Sequence, residues 1–309
     1  MKLGMVFPGQ GSQSVGMLAG YDAYPVVRET LAEAGAILGQ DLWALAADGP
    51  AEELNRTVNT QPLMLAADIA VYRAWRAAGG TKPAIVAGHS LGEYAALVAA
   101  EALELNAALP LVRFRAQAMQ EAVPAGVGAM AAIMGADDES IIAACAEAAQ
   151  GQVVEPVNFN APGQTVIAGH REAVERAIAA AKAKGAKRGV LLPVSAPFHS
   201  SLLKAAAERL AAYLVNVPIS TLRIRVLHNV DARPAETPEA IRSALAKQAA
   251  SPVRWVQTVQ AFVTEGVTHI VECGPGQVLT GLCKRIAADV TVMPLADGGA
   301  IDAASGALK

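Results

Sequence analysis

Ala84-Ile85-Val86-Ala87-Gly88-His89-Ser90-Leu91-Gly92-Glu93 is the stretch on which the fold turns. Residues 84–87 form an apolar run of buried-strand length, 88–92 a glycine-bounded turn, and 93–102 a helical pattern. A strand that passes through G-x-S-x-G straight into a helix is a nucleophile elbow. The tight turn strains the serine backbone, and small flanking residues let the helix lie close on the strand. Free N–H groups at the helix start favour negative charge beside the serine. Ser90 is therefore the candidate nucleophile, and the Leu91 N–H is the natural first oxyanion donor. Without that chemistry the pentapeptide is a tight Gly-Ser turn and nothing more.

Outward from the elbow, a strand is expected at 3–7, ended by Pro8-Gly9. Helices are expected at 22–39, at 61–78 before Gly79-Gly80, and at 110–123 before Pro124. This alternation predicts an α/β fold with a mainly parallel sheet. The pattern then changes. Strand 127–134, helix 137–150, strands 153–158 and 165–168 around Pro162-Gly163, helix 171–184 and strand 188–193 follow in turn. That order, β-α-β-β-α-β, is the ferredoxin-like arrangement. We expect a ferredoxin-like insert at 125–195 within an α/β domain of residues 1–124 and 196–309. The larger domain resumes with helix 201–216, strand 224–229, helices 238–248 and 253–265, strand 269–272 and helix 278–286.

Composition narrows the function. The 309 residues are 53% hydrophobic and 17% charged, enough to bury a sizeable core. Aromatics are only 4%, so Ala, Val and Leu carry the packing, which suits closely layered helices and sheet. A net charge of −3 offers no chain-wide basic excess for phosphates and argues against a nucleic-acid binder. Cys145, Cys273 and Cys283 are odd in number and widely spaced, which is neither a disulfide framework nor a zinc pattern. Reduced thiols in a cytoplasmic protein without a metal site are the expectation. The N-terminal apolar run is too short for a signal peptide. No uninterrupted 18-residue apolar run exists, so no membrane span is expected.

A serine hydroxyl needs a base. Of the five histidines, His269 begins a strand and falls at the wrong sheet edge, His228 sits in an apolar strand pattern, and His170 opens a helix of the insert. His89 adjoins Ser90, but its side chain points elsewhere along the turn. His199 lies in Val194-Ser195-Ala196-Pro197-Phe198-His199-Ser200, a Pro-stiffened loop where the chain leaves the insert, and can lean over an interdomain cleft. His199 is the favoured base. The third member stays open at this point: Glu272 and Asp231 qualify by position only, and a backbone carbonyl or amide oxygen would serve as well, leaving a Ser–His dyad.

Two further features ask for partners. The loop Phe7-Pro8-Gly9-Gln10-Gly11-Ser12-Gln13-Ser14 fails the dinucleotide fingerprint, having Ser14 at its third glycine position. It is either a plain turn or a substrate loop whose Gln10 N–H is the second oxyanion donor. On the helix at 110–123, Leu111, Val112, Arg115, Ala118, Met119 and Ala122 share one face, so Arg115 sits on an apolar stripe. It needs a structural acid, an escape to the rim, or a substrate carboxylate held by its fork.

With these residues in view, the chain resembles the malonyl-CoA:acyl carrier protein transacylases of type II fatty-acid synthesis over essentially its whole length. The resemblance rests on Pro8-Gly9-Gln10-Gly11-Ser12-Gln13, Gly88-His89-Ser90-Leu91-Gly92-Glu93 and the Arg115 helix. It rests further on Asn158-Phe159-Asn160-Ala161-Pro162-Gly163, Pro197-Phe198-His199-Ser200 and Glu272-Cys273-Gly274-Pro275-Gly276. It implies an α/β-hydrolase-like core with a ferredoxin-like insert, Ser90 as nucleophile and His199 as base. It implies Gln10 and Leu91 as the oxyanion pair, Arg115 as the anchor of the malonyl carboxylate, and Gln248 as the residue whose backbone carbonyl orients the histidine. Asn160 is implied to face the active site, and Phe198 to mark the malonyl-selective type. The implied cycle is ping-pong, takes a coenzyme A thioester as substrate, needs no bound cofactor, and delivers the acyl group to acyl carrier protein. Lys182, Lys184, Lys187 and Arg188, with Lys284 and Arg285, are a candidate basic landing site for that partner; otherwise they are ordinary solvated helix ends. A serine hydrolase on the same elbow and a polyketide-pathway acyltransferase are the competing readings.

Overall fold

The computed structural model describes residues 1–194 and 196–308. From the N-terminus, β1 (Leu3–Phe7) leads to α1 (Pro25–Leu38), α2 (Leu42–Asp48), α3 (Ala51–Asn55) and the long α4 (Thr57–Ala77). β2 (Ile85–Gly88) then feeds α5 (Gly92–Ala99) and α6 (Leu105–Glu121). The middle of the chain holds β3 (Gly128–Met134), α7 (Asp138–Ala149), β4 (Val154–Ala161), β5 (Gln164–His170), α8 (Arg171–Ala183) and β6 (Arg188–Leu191). After it come α9 (Lys204–Leu214), β7 (Arg225–Leu227), α10 (Pro238–Gln248), α11 (Trp255–Thr264), β8 (His269–Glu272), α12 (Val278–Ile286), β9 (Thr291–Pro294) and α13 (Gly298–Ala307).

The larger sheet is parallel throughout, in the order β7-β2-β1-β8-β9. Both of its faces are covered, as a parallel sheet requires. The period-2 alternation of the strands divides the core. Met5, Phe7, Val86, Val226 and Val271 join the cluster under α1, α4, α5 and α6, whereas Val6, Ile85, Ala87, Leu227 and Ile270 join that under α11 and α12. This is the α/β-hydrolase-like core that was expected. The strand ends Phe7, Gly88, Leu227 and Glu272 all open at one edge, and the loops that follow them converge there.

The smaller sheet is antiparallel, in the order β4-β5-β3-β6. Numbered within the segment, that is the 4-1-3-2 order of a ferredoxin-like unit read from the far edge. Its two faces differ. Ala129, Ala131 and Ile133 of β3 pack under α7 and α8, while Met130 belongs to the core of the larger body. The segment is stitched on by β4, where Val253 N donates to Val157 O and Phe159 N donates to Val253 O. The Glu155 carboxylate also accepts from both the N–H and the hydroxyl of Ser201, each at 2.8 Å, two residues past His199. Ser195, the last residue of the expected insert, lies outside the described residues.

Several boundaries differ from the sequence reading. α6 begins at Leu105 rather than 110 and carries Pro110 inside it, and α4 begins at Thr57 with Pro62 inside. A proline in a helix forfeits one hydrogen bond. Here the added turn buries Leu105, Ala108 and Leu109, and that burial outweighs the loss. α2, α3, β9 and α13 were not expected at all. α13 is rich in glycine, and Asp297 starts it by accepting from the Ala300 N–H.

Candidate active site

The elbow forms where β2 meets α5. A Cβ on Gly88 would stand 1.9 Å from the Gly92 carbonyl carbon, and one on Gly92 would stand 2.1 Å from the Phe7 carbonyl oxygen. Only glycine permits this approach of helix to strand. Between them Ser90 adopts φ 53°, and His199, arriving from the other side, adopts φ 65°. Each left-handed residue costs on the order of 1–2 kcal/mol, so the surrounding bonds must hold both in place.

Those bonds are explicit. Ser90 N donates to Asn229 Oδ1 at 2.7 Å, and Asn229 Nδ2 donates to Gly88 O at 2.7 Å. Ser90 Oγ lies 2.7 Å from His199 Nε2, and His199 Nδ1 lies 2.8 Å from Gln248 O. A carbonyl only accepts, so Nδ1 carries the proton and Nε2 is left free to take one from Ser90. Asp231 accepts from Arg233 N in an exposed turn, and Glu272 accepts from Leu279 N and Thr280 N at the start of α12. Neither carboxylate contacts the histidine; the Gln248 backbone carbonyl does. Burial first, and the Arg115 charge second, push His199 down to about 3, against the pull of the Gln248 carbonyl.

This sets a pH expectation. An imidazole that titrates near 3 is neutral through the physiological range and is free to act as a base there. Acylation of Ser90 should therefore show no acid limb between about pH 5 and 8, and a limb centred near 6.5 in single-turnover loading would contradict it. The sign for stability follows. Unfolded His199 binds its proton near 6.5 and folded His199 only near 3, so its contribution is intact above 6.5 and is lost as pH falls toward 3.

Arg115 is 1% exposed. Nη1 donates to Gln61 Oε1 at 2.6 Å, and Nη2 donates to Gln248 Oε1 at 2.9 Å and Ser90 Oγ at 3.1 Å. The guanidinium lies over the Tyr94 ring, 5.4 Å from its centroid. Among the described residues no acid pairs with it directly, so neither the structural-acid reading nor escape to the rim applies. The fork borders a cavity of about 110 Å³ whose polar wall includes Gln10, Gln61, His89, Ser90, Asn158 and His199, and whose apolar wall includes Met119, Met130, Leu192 and Phe198.

Gln10 and Leu91 both line this cavity, and among the described residues no partner engages either backbone N–H. The Gln10 side chain is held from behind, its Oε1 accepting from Thr57 Oγ1 at 2.7 Å. Asn160 sits behind the cavity wall, hydrogen-bonded to His89, which lines it. Its Oδ1 lies 2.8 Å from His89 Nε2, and Asn158 lines the cavity itself. Bulges in β4 between Pro156 and Asn158 and between Phe159 and Ala161 break the simple alternation. The sequence reading missed Gln61, Asn158 and Asn229. Asn229 closes the expected strand 224–229, but its partner Ser90 lies 139 residues away.

Residues 5–296 match the acyl transferase domain family. The chain is 56% identical over 300 residues to the malonyl CoA-acyl carrier protein transacylase of Escherichia coli (strain K12), covering 97% of each chain. The crystal structure of an acyl-carrier-protein S-malonyltransferase from Burkholderia pseudomallei 1710b superposes with a TM-score of 0.97 at 59% identity, covering 99% of this chain and 100% of that one. A malonyl-transacylase solved in complex with a type II polyketide-synthase acyl-carrier protein superposes with a TM-score of 0.98 at 51% identity, with coverage of 99% and 100%.

Proposed function

The chain belongs to the acyl transferase family, and on that premise we propose that it moves a malonyl group from coenzyme A to the phosphopantetheine thiol of acyl carrier protein, through a malonyl ester on Ser90. The observation that carries the choice of acyl group is the buried Arg115 fork, 3.1 Å from the nucleophile and without a carboxylate of its own. A thioester whose acyl chain ends in a carboxylate satisfies the fork and sets its carbonyl carbon at Ser90 Oγ.

The cycle balances on two side chains. His199 Nε2 takes the Ser90 proton as Oγ bonds to the thioester carbon. The oxyanion is received by the N–H groups of Leu91 and Gln10. Collapse breaks the C–S bond, and His199 returns its proton to the departing coenzyme A thiolate. The carrier thiol then gives its proton to His199 and attacks the ester, and Ser90 Oγ leaves with that proton. The side chains and the thioester suffice for each step as written. We place the reaction in the cytoplasm, in keeping with three buried, unpaired cysteines; among the described residues no helix is long and apolar enough to cross a membrane.

Brief exposure to malonyl-CoA should leave one malonyl group on Ser90, read by intact-protein mass spectrometry. An unmodified protein, or release of free malonate outpacing malonyl-carrier formation, would overturn the assignment in favour of no catalysis or of a hydrolase.

The carrier must reach the cavity mouth between the two sheets. We read residues 125–195 as a separate subdomain whose basic rim faces that mouth. Arg285 of α12 donates to Pro162 O and to Gln164, Gly135 N donates to Gly163 O, and Lys187 N donates to Met134 O. These contacts link Arg285 to the turn beside Gly135, against which the Lys187 side chain lies, and Lys184 is tied to Glu147 at 3.0 Å. Reversing charge at Lys187 and Arg188 should raise the carrier's KM by about tenfold while malonyl-CoA loading is unchanged. Unaltered carrier kinetics would remove this rim from the docking surface.

A further inference from the structure

Behind the reacting atoms lies a carboxylate that the cycle does not use. Glu93, in the first turn of α5, is fully buried. Its Oε1 accepts from His228 Nδ1 at 2.7 Å, and its Oε2 accepts from Asn229 N at 2.8 Å and Gln248 Nε2 at 3.0 Å. A carboxylate takes all three contacts at once when the His228 ring carries its proton on Nδ1.

Each arm leads to the chemistry. Asn229 grips the Ser90 N–H and the Gly88 carbonyl, the two ends of the strained turn. Gln248 Nε2 donates to Ser90 O at 2.8 Å, its Oε1 takes the Arg115 fork, and its backbone carbonyl orients His199. The amide orientations follow from the partners. A guanidinium only donates and the Ser90 carbonyl only accepts, so Gln248 cannot be flipped. The nucleophile turn, the base and the substrate anchor are thus braced from one carboxylate.

The geometry points to Glu93 as a positioning residue for acyl transfer, holding Ser90 through Asn229, and His199 and Arg115 through Gln248. This rests on the transfer reading above. The negative charge also offsets part of the cost of burying the Arg115 guanidinium, against which it acts through space. Loss of the charge alone disturbs the array. Glu93→Gln removes that charge, and its amide N–H₂ meets either the Asn229 and Gln248 donors or a His228 ring that has moved its proton to the buried, unpartnered Nε2, so the array loses a bond in either case.

The experiment has two readouts. The first is the rate at which a fluorophosphonate, a neutral serine-directed probe, labels Ser90. In Glu93→Gln it should fall about 100-fold, and Glu93→Asp, which keeps the charge, should recover most of that loss. The second is the preference for malonyl-CoA over acetyl-CoA in single-turnover loading, which should fall about tenfold as the fork loses its seat. A merely structural role would lower the active fraction and leave both the rate constant of that fraction and the acyl preference unchanged. Such a result, or labelling within threefold of wild type, overturns the proposal.

Should Glu93→Gln fail to fold, the arms can be cut singly. Asn229→Ala should slow malonyl and acetyl loading by equal factors, whereas Gln248→Ala, which keeps the backbone carbonyl, should slow malonyl loading more. The reverse pattern, or no difference between the two variants, overturns the proposal. In a folded background, Glu93→Gln combined with Asn229→Ala should be no slower than Glu93→Gln alone; effects that multiply would show the two residues to act independently. Fluorophosphonate labelling needs no acyl donor. A wild-type protein that labels but carries no malonyl group would sink the transfer reading and leave the Glu93 test standing.

Discussion

His199→Ala should lower the rate of malonyl loading by about 10⁴-fold or more, leaving only what the oxyanion donors and binding supply. Ser90 Oγ has one proton acceptor among the described residues, His199 Nε2 at 2.7 Å, since Arg115 only donates to it. A neutral hydroxyl facing a guanidinium is a poor nucleophile, and without the imidazole it has nowhere to send its proton. The 3% exposure of His199 means the truncation leaves a buried void, so some loss of stability is expected as well. The two effects separate cleanly. Thermal unfolding reports the void, and rapid-quench loading of the folded protein reports the base. Small imidazole should enter the void and restore part of the rate. A loss of less than about tenfold would show that another group serves as base.

Arg115→Ala should cost about 1.5–3 kcal/mol of malonyl loading, or roughly one to two decades, with acetyl loading spared or improved. Selectivity is the sharp part of this expectation. The fork is held in its plane by Gln61 and Gln248, so it is preorganised for a carboxylate before substrate arrives. Acetyl has no carboxylate and gains nothing from the fork, yet must still leave the buried charge half satisfied. Removing the guanidinium therefore costs malonyl a partner and frees acetyl of a penalty. Arg115→Lys should not restore malonyl loading fully, because a point charge cannot reach Gln61, Gln248 and substrate at once. Equal losses for both acyl groups, measured as kcat/KM, would make Arg115 a structural residue.

The parts of the molecule legible beforehand were those governed by local period. The elbow is a strand pattern, a glycine turn and a helix pattern in immediate succession, and the β-α-β-β-α-β order of 125–195 comes from alternation and caps. Arg115 stood out because a charge on an apolar stripe breaks its own period. The brace behind Ser90 carried no such mark. Glu93 was visible in the motif, but its partners His228 and Asn229 are 135 and 136 residues away and meet it only because β7 pairs with β2. Asn160 was implied by the family resemblance rather than by any local period, and its Oδ1 lies 2.8 Å from His89 Nε2. α2 and α3 are too short to show a period, and α13 owes its existence to the Asp297 cap and to the burial of Ile301 rather than to its glycine-rich sequence.

The two faces of β3 divide the molecule in a way that bears on how such a chain can diversify. Ser90, Arg115, Asn229 and Gln248 all belong to the larger body, while the smaller sheet and the stretch after it supply wall, through Met130, Asn158 and Leu192. The hydrophobic centre of the smaller unit, under α7 and α8, is a separate cluster. Changes on the cleft face of β3 and β4 can thus reshape which acyl group fits while the reacting atoms keep their places. Changes on the helix face can drift for stability alone. The carboxylate anchor Arg115 stays with the reacting atoms on the larger body, and the smaller unit tunes only the wall that faces them.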